Sequence, residues 1–142
     1  MSTQIDPALR ETFRAIADVL IPAAEGMPAA SEVGVHEGTF DRIIALRPDL
    51  TERLLRGLRA AAGHSAQEAA RRLNTEDPEA LSAIGLAASA AYYMQPRVRE
   101  LIGYPGQESR PGNPDEVPEY VDNGMLRQVI DRGPIYRPTP RT

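Results

Sequence analysis

The chain has 142 residues and a net charge of −4, with 42% hydrophobic and 25% charged residues, no cysteine and no tryptophan; all sixteen basic residues are arginine. Without cysteine, disulfides, thiolate nucleophiles and cysteine-held clusters are excluded. The mild acidity argues against a nucleic-acid binder that tracks phosphates, and no apolar run approaches the roughly 20 residues of a membrane-spanning helix.

Asp6-Pro7 is a helix start: an acceptor at the N-cap, then proline at the first helical position, where a missing N–H costs nothing. Leu9, Phe13, Ile16, Ala17 and Leu20 follow on one apolar stripe. Pro22 disfavours helix in the residue before it, so the helix should end near Ile21. After a loop, Val35, Phe40, Ile43 and Ile44 suggest a second helix from Ser31-Glu32, weakened by Gly34 and Gly38. Asp49 is read as the cap of a third, with Leu50, Leu54, Leu58, Ala61 and Ala62 on one face and Arg53, Arg56 and Arg59 nearer the other. Gly63 should end it.

Ser65 and Glu68 have the spacing of a capping box before Ala69, Ala70 and Leu73. Asp77-Pro78 repeats the first start signal. From Glu79 to Met94 charge is scarce nearly all round, the pattern of a buried helix. It is expected at the centre of the bundle, with Ala83, Ala87, Ala88, Ala90 and Ala91 permitting close approach by neighbours. Pro96 interrupts, a short turn through Val98 and Leu101 follows, and Gly103 with Pro105 reads as a helix stop.

Seven of the thirteen prolines and five of the eleven glycines lie from Gly103 onward. Such density forbids a long helix, although 122–133 reads as a short capped one with Leu126, Val129 and Ile130 inward. The segment is therefore expected to be an extended arm whose spaced aromatic and apolar residues anchor it. The fold expected is all-α: residues 1–102 form a small bundle of about five helices, and 103–142 the arm.

No glycine-rich nucleotide loop, P-loop or nucleophile elbow is present. His36 and His64 are the only histidines and match no metal spacing. His36 with Glu37 or Asp41 is the one acid–base grouping that a stand-alone enzyme could use; surface and loop histidines are the plainer reading. Tyr92 and Tyr93 read either as core tyrosines with satisfied hydroxyls or as interface residues, the class in which tyrosine is enriched. The expected partner interface comprises Tyr92, Tyr93, Tyr104, Pro105, Tyr120, Ile135 and Tyr136, with no catalytic, cofactor-binding or metal site in the chain.

Two stretches carry a resemblance. Ala17-Asp18-Val19-Leu20-Ile21-Pro22, followed by Glu32-Val33-Gly34-Val35, and later Tyr92-Tyr93 through Gly103-Tyr104-Pro105-Gly106, resemble the family of gluconate 2-dehydrogenase subunit 3 over most of residues 10–107. The resemblance implies a non-catalytic small subunit that binds and stabilises a large FAD-dependent dehydrogenase of the glucose-methanol-choline type. FAD would sit in the partner, which would oxidise an alcohol group of a sugar, glycoside, polyol or sugar acid. Family members can carry a twin-arginine export signal; none is seen in Met1–Ala15, so the expected compartment is the cytoplasm, or the periplasm if a signal lies elsewhere or on the partner. The alternatives are the stand-alone enzyme and a helical regulatory or binding module.

Overall fold

A computed structural model describes residues 5–109, 112–113 and 118–135. The protein is all-α. Among the described residues the only β pairing is an isolated bridge between Ala24 and Met27, across a turn in which Glu25 and Gly26 both have positive φ. The chain divides into two compact units, one ending at Gly106 and the other beginning at Gln107.

In the first unit, α1 spans Pro7–Leu20, α2 Gly38–Leu46, α3 Pro48–Ala61, α4 Ala66–Glu76, α5 Pro78–Met94 and α6 Pro96–Leu101. Three starts follow directly from side-chain caps. Asp6 accepts from the Ala8 amide at 2.8 Å, Ser65 from Glu68 at 3.3 Å and Asp77 from Ala80 at 3.1 Å, each satisfying an amide that the helix itself leaves unpaired. α1 ends as expected, with Ile21 at its C-cap.

Two boundaries differ from the sequence reading. The expected second helix is broken: a 3-10 turn at Ser31–Val33 stops at Gly34, whose φ of 71° is left-handed, and α2 begins only at Gly38. A side chain on Gly34 would also lie 3.1 Å from the Glu37 carboxylate, so glycine serves both the turn and the close approach. The cap of α3 is Arg47 rather than Asp49, because Pro48 takes the first helical position and places Asp49 within the first turn. There the Asp49 carboxylate is held by Arg47 at 2.7 Å.

α5 touches α1, α2, α3, α4 and α6, so the alanine-rich helix is central. Its Ala80, Ala83, Ile84, Ala87, Ala88, Ala91 and Tyr92 are buried. They meet Phe13, Ile16 and Ala17 of α1, Phe40 and Ile43 of α2, Leu54 and Leu58 of α3, and Val98 of α6 in one apolar core that contains no buried charged residue among those described. α3 approaches α5 closely at Gly57: a Cβ there would stand 2.9 Å from the Ala80 Cβ. Phe13 and Phe40 stack with ring centroids 4.1 Å apart, joining α1 to α2. Leu20 and Ala62, expected on apolar faces, are exposed at helix ends.

Among its described residues the second unit has two short helices, α7 at Glu119–Asp122 and α8 at Arg127–Arg132, where one was expected. Between them the Asn123 side chain accepts from the Met125 amide at 2.9 Å, forming a local turn. Val129 and Ile130 do not point inward: they are 54% and 71% exposed, as are Tyr120, Val121 and Met125 to similar degrees. Helices of four and six residues present too little apolar face to enclose a core, so the periodic pattern leaves these side chains exposed among the described residues of this unit.

Candidate functional site

The two stretches that carry the family resemblance meet in the first unit. Asp18, at the end of α1, accepts from the Ser31 amide at 2.7 Å and so closes the loop that follows Pro22. The Ala30 amide donates to the Ile21 carbonyl at 3.1 Å, drawing the same loop back against the helix it leaves. From the other stretch, the buried Tyr92 hydroxyl donates to the Pro28 carbonyl at 2.7 Å.

These contacts separate the two tyrosines that the sequence pairs. Tyr92 is 3% exposed and its hydroxyl is satisfied inside its own chain. It is a core residue, which corrects its assignment to a partner interface: burial leaves no surface to offer. Burial also pushes its phenol above the ordinary value of 10.0, with smaller contributions from Tyr93 and Glu32, which keeps the donor protonated. Tyr93 meets the Tyr92 ring edge-on at 5.6 Å and is 57% exposed. Tyr104 and Pro105, beyond α6, are exposed, as are Tyr120 and Ile135 in the second unit. Tyr136 lies outside the described residues.

Around His36 the chemistry is structural. Arg10 donates through Nη1 to the carbonyls of His36, at 2.6 Å, and Glu37, at 3.2 Å, and through Nη2 to the Asp41 carboxylate at 2.6 Å. Its guanidinium also lies 5.5 Å from the Phe40 ring centroid. One arginine therefore fastens the entry of α2 to α1, and Asp41 is committed to Arg10 rather than to the imidazole. The His36 Nδ1 is buried without a partner. His64 lies apart, on the turn before α4, beside Arg72 and Glu68.

A cleft of about 380 Å³ opens where the start of α2 faces the junction of α5 and α6; Glu37, Thr39, Arg42 and Gln95 give it polar walls. Gln95 Nε2 donates to Thr39 Oγ1 at 2.9 Å across it. Neither histidine lines it, so it presents a carboxylate and a guanidinium with no imidazole between them. Among the described residues no group of three or more His, Asp or Glu is arranged to hold a metal ion. No described helix is long and apolar enough to cross a membrane.

Of the arginine face on α3, Arg56 is paired within the chain, to Asp77 at 2.7 Å. That hydrogen bond from Arg56 holds the Asp77 carboxyl below its usual range, assisted by the Ala80 amide that it caps. Sequence reasoning missed the Arg10 clamp, whose partners lie 26 to 31 residues away, and the Gly57 contact. It also missed the solvent-facing side of α5, although the absence of charge there was visible.

Comparison with protein families, with curated proteins and with solved structures finds no match for this chain.

Proposed function

We propose that this chain is a non-catalytic small subunit, of the gluconate 2-dehydrogenase subunit 3 type, which binds and stabilises a large FAD-dependent dehydrogenase acting on an alcohol group of a sugar or related polyol. The observation that carries the reading is the junction of the two resembling stretches. The Tyr92–Pro28 and Asp18–Ser31 hydrogen bonds give residues of both motifs a common structural task, which is to hold one loop on one helix end.

The exposed side chains are of the kind that partners cover. Tyr93, Leu101, Ile102 and Tyr104 in the first unit, and Tyr120, Val121, Met125, Val129, Ile130 and Ile135 in the second, stand in water, and aromatic and large apolar residues are the anchors of protein interfaces. Within the proposal, FAD belongs to the partner, and the complex resides in the cytoplasm or, if the partner carries an export signal, in the periplasm.

The test is purification through a tag on this chain from its native host, with the absorption spectrum and mass spectrum of what accompanies it. The expected result is a yellow complex with a large flavin dehydrogenase, while the chain purified alone is colourless and inactive. A chain that by itself turns over a sugar or alcohol substrate would overturn the proposal, as would a stoichiometric partner that binds no flavin.

A further inference from the structure

Of the three asparagines in the chain, Asn74, Asn113 and Asn123, only the last precedes a glycine. Asn123 and Gly124 form the turn between α7 and α8, and both are exposed. The Gly124 amide N–H donates to no group among the described residues, while the Gly124 carbonyl accepts from the Arg127 amide at 3.0 Å. Gly124 has a φ of 78°, and the place where a side chain would stand is open space.

A free backbone amide next to a side-chain amide can close on it. On losing its proton to base, the Gly124 nitrogen attacks the Asn123 Cγ. The new N–Cγ bond makes a five-membered succinimide as the Cγ–Nδ2 bond breaks, and the side-chain nitrogen leaves as ammonia with a proton from water. A water molecule then opens the ring. Its addition at Cγ gives aspartate at position 123; its addition at the main-chain carbonyl carbon gives isoaspartate, in which the main chain runs through Cβ and Cγ. In both cases asparagine and one water become a carboxylate and ammonia, and no other reactant is needed.

Attack requires rotation about the Asn123 Cα–C bond from its ψ of 2°. A following residue without a Cβ lets the nitrogen come close. What resists the rotation is local: the Met125 amide donating to Asn123 Oδ1 at 2.9 Å, and the Arg127–Gly124 bond. The flanking helices, of four and six residues, are too short to lock the turn between them. The other asparagines lack these conditions. Asn74 lies inside α4 before the β-branched Thr75, where backbone amides belong to the helical ladder. Asn113 precedes Pro114, whose nitrogen has no hydrogen to give up.

We propose that Asn123 is a site of spontaneous deamidation through a succinimide. Either product sets a new negative charge beside Asp122. The isoaspartate product also lengthens the main chain between α7 and α8 and takes Oδ1 out of the side chain that holds the turn. The change falls among the exposed Tyr120, Val121 and Met125.

The test is incubation of the purified full chain at mildly alkaline pH, with fragmentation mass spectrometry to locate any change and methyl transfer by an isoaspartyl methyltransferase to detect isoaspartate. Position 123 should gain about one dalton progressively, faster as pH rises and severalfold or more faster than Asn74. Isoaspartate should appear with it. Asn123→Gln keeps the glycine turn but requires a larger ring, and should abolish both signals. Gly124→Ala should slow them severalfold; its left-handed φ strains an alanine, so Asn123→Gln is the probe that leaves the turn glycine in place. An unchanged mass at position 123, a gain no faster than at Asn74, aspartate without isoaspartate, or a wild-type rate of methyl transfer in Asn123→Gln would each overturn the proposal.

Discussion

The Tyr92 hydroxyl, near the end of α5, donates to the Pro28 carbonyl at 2.7 Å, joining residues 64 apart in the chain. Removing it in Tyr92→Phe leaves a buried carbonyl without its donor, which costs about 1–3 kcal/mol. Tyr93→Phe, on an exposed ring, should cost little. Urea unfolding of the two variants separates them, and equal losses would mean that the hydrogen bond does not organise the loop.

The same residue sets an alkaline limit. Burial raises the Tyr92 phenol above 10.0, so the folded state favours the neutral form. Its contribution is fully present below about pH 10 and is lost as pH rises through the higher folded value. Thermal melts of the wild type should therefore fall more steeply above pH 10 than those of Tyr92→Phe. Parallel curves would contradict this.

Gly57→Ala tests the closeness of α3 to α5. Alanine favours a helix by roughly 0.5–1 kcal/mol over glycine, but the new Cβ would lie 2.9 Å from the Ala80 Cβ, an atom with no rotamer by which to move aside. Overpacking costs about 1–3 kcal/mol, so a net loss of stability is expected. Ala87→Leu, at a fully buried position of α5, should cost at least as much. An increase in melting temperature for Gly57→Ala would show that the helices separate without penalty.

Asp77 joins two helices, capping α5 while pairing with Arg56 of α3. Its folded value is held below the ordinary value of 3.8, first by the Arg56 hydrogen bond. The stabilisation is therefore present above about pH 4 and is lost as pH falls through the lower folded value. Asp77→Asn retains a capping oxygen but not the charge. Its melting temperature should lie below that of wild type at neutral pH and converge with it in acid; a gap that persists unchanged into acid would assign the effect to something other than this ionisation.

The legible parts of this fold are those decided locally. Asp6-Pro7, Ser65 with Glu68, and Asp77-Pro78 announce helix starts because cap and first turn lie within three or four residues. Asp49 misled because it also resembles a cap, and only the preference of Pro48 for the first helical position decides against it. Val129 and Ile130 misled for a different reason: periodicity says which side chains share a face, not whether a second layer exists to cover it. The uncharged run of α5 pointed correctly to a central helix, but it does not say which of its uncharged positions face solvent, so the exposed Leu86 and Tyr93 were indistinguishable from the buried Ala87 and Tyr92. The Arg10 clamp and the Gly57 contact depend on long-range geometry that no local pattern encodes.

On the proposed function, substituting both His36 and His64 by alanine should leave the dehydrogenase activity of the proposed complex within a few-fold of wild type. Loss of a general base usually costs roughly 10²–10⁴ in rate. A drop of that size, with the complex assembled and flavin bound, would bring the shared-site or stand-alone enzyme to the front.

The most direct measurement of the central claim is the yield of soluble, flavin-loaded dehydrogenase when the partner that co-purifies with this chain is expressed with and without it. A stabilising subunit should raise that yield severalfold, and the turnover per bound flavin should be the same once the partner is folded. Equal yields of soluble, flavin-loaded partner in both cases would contradict the account.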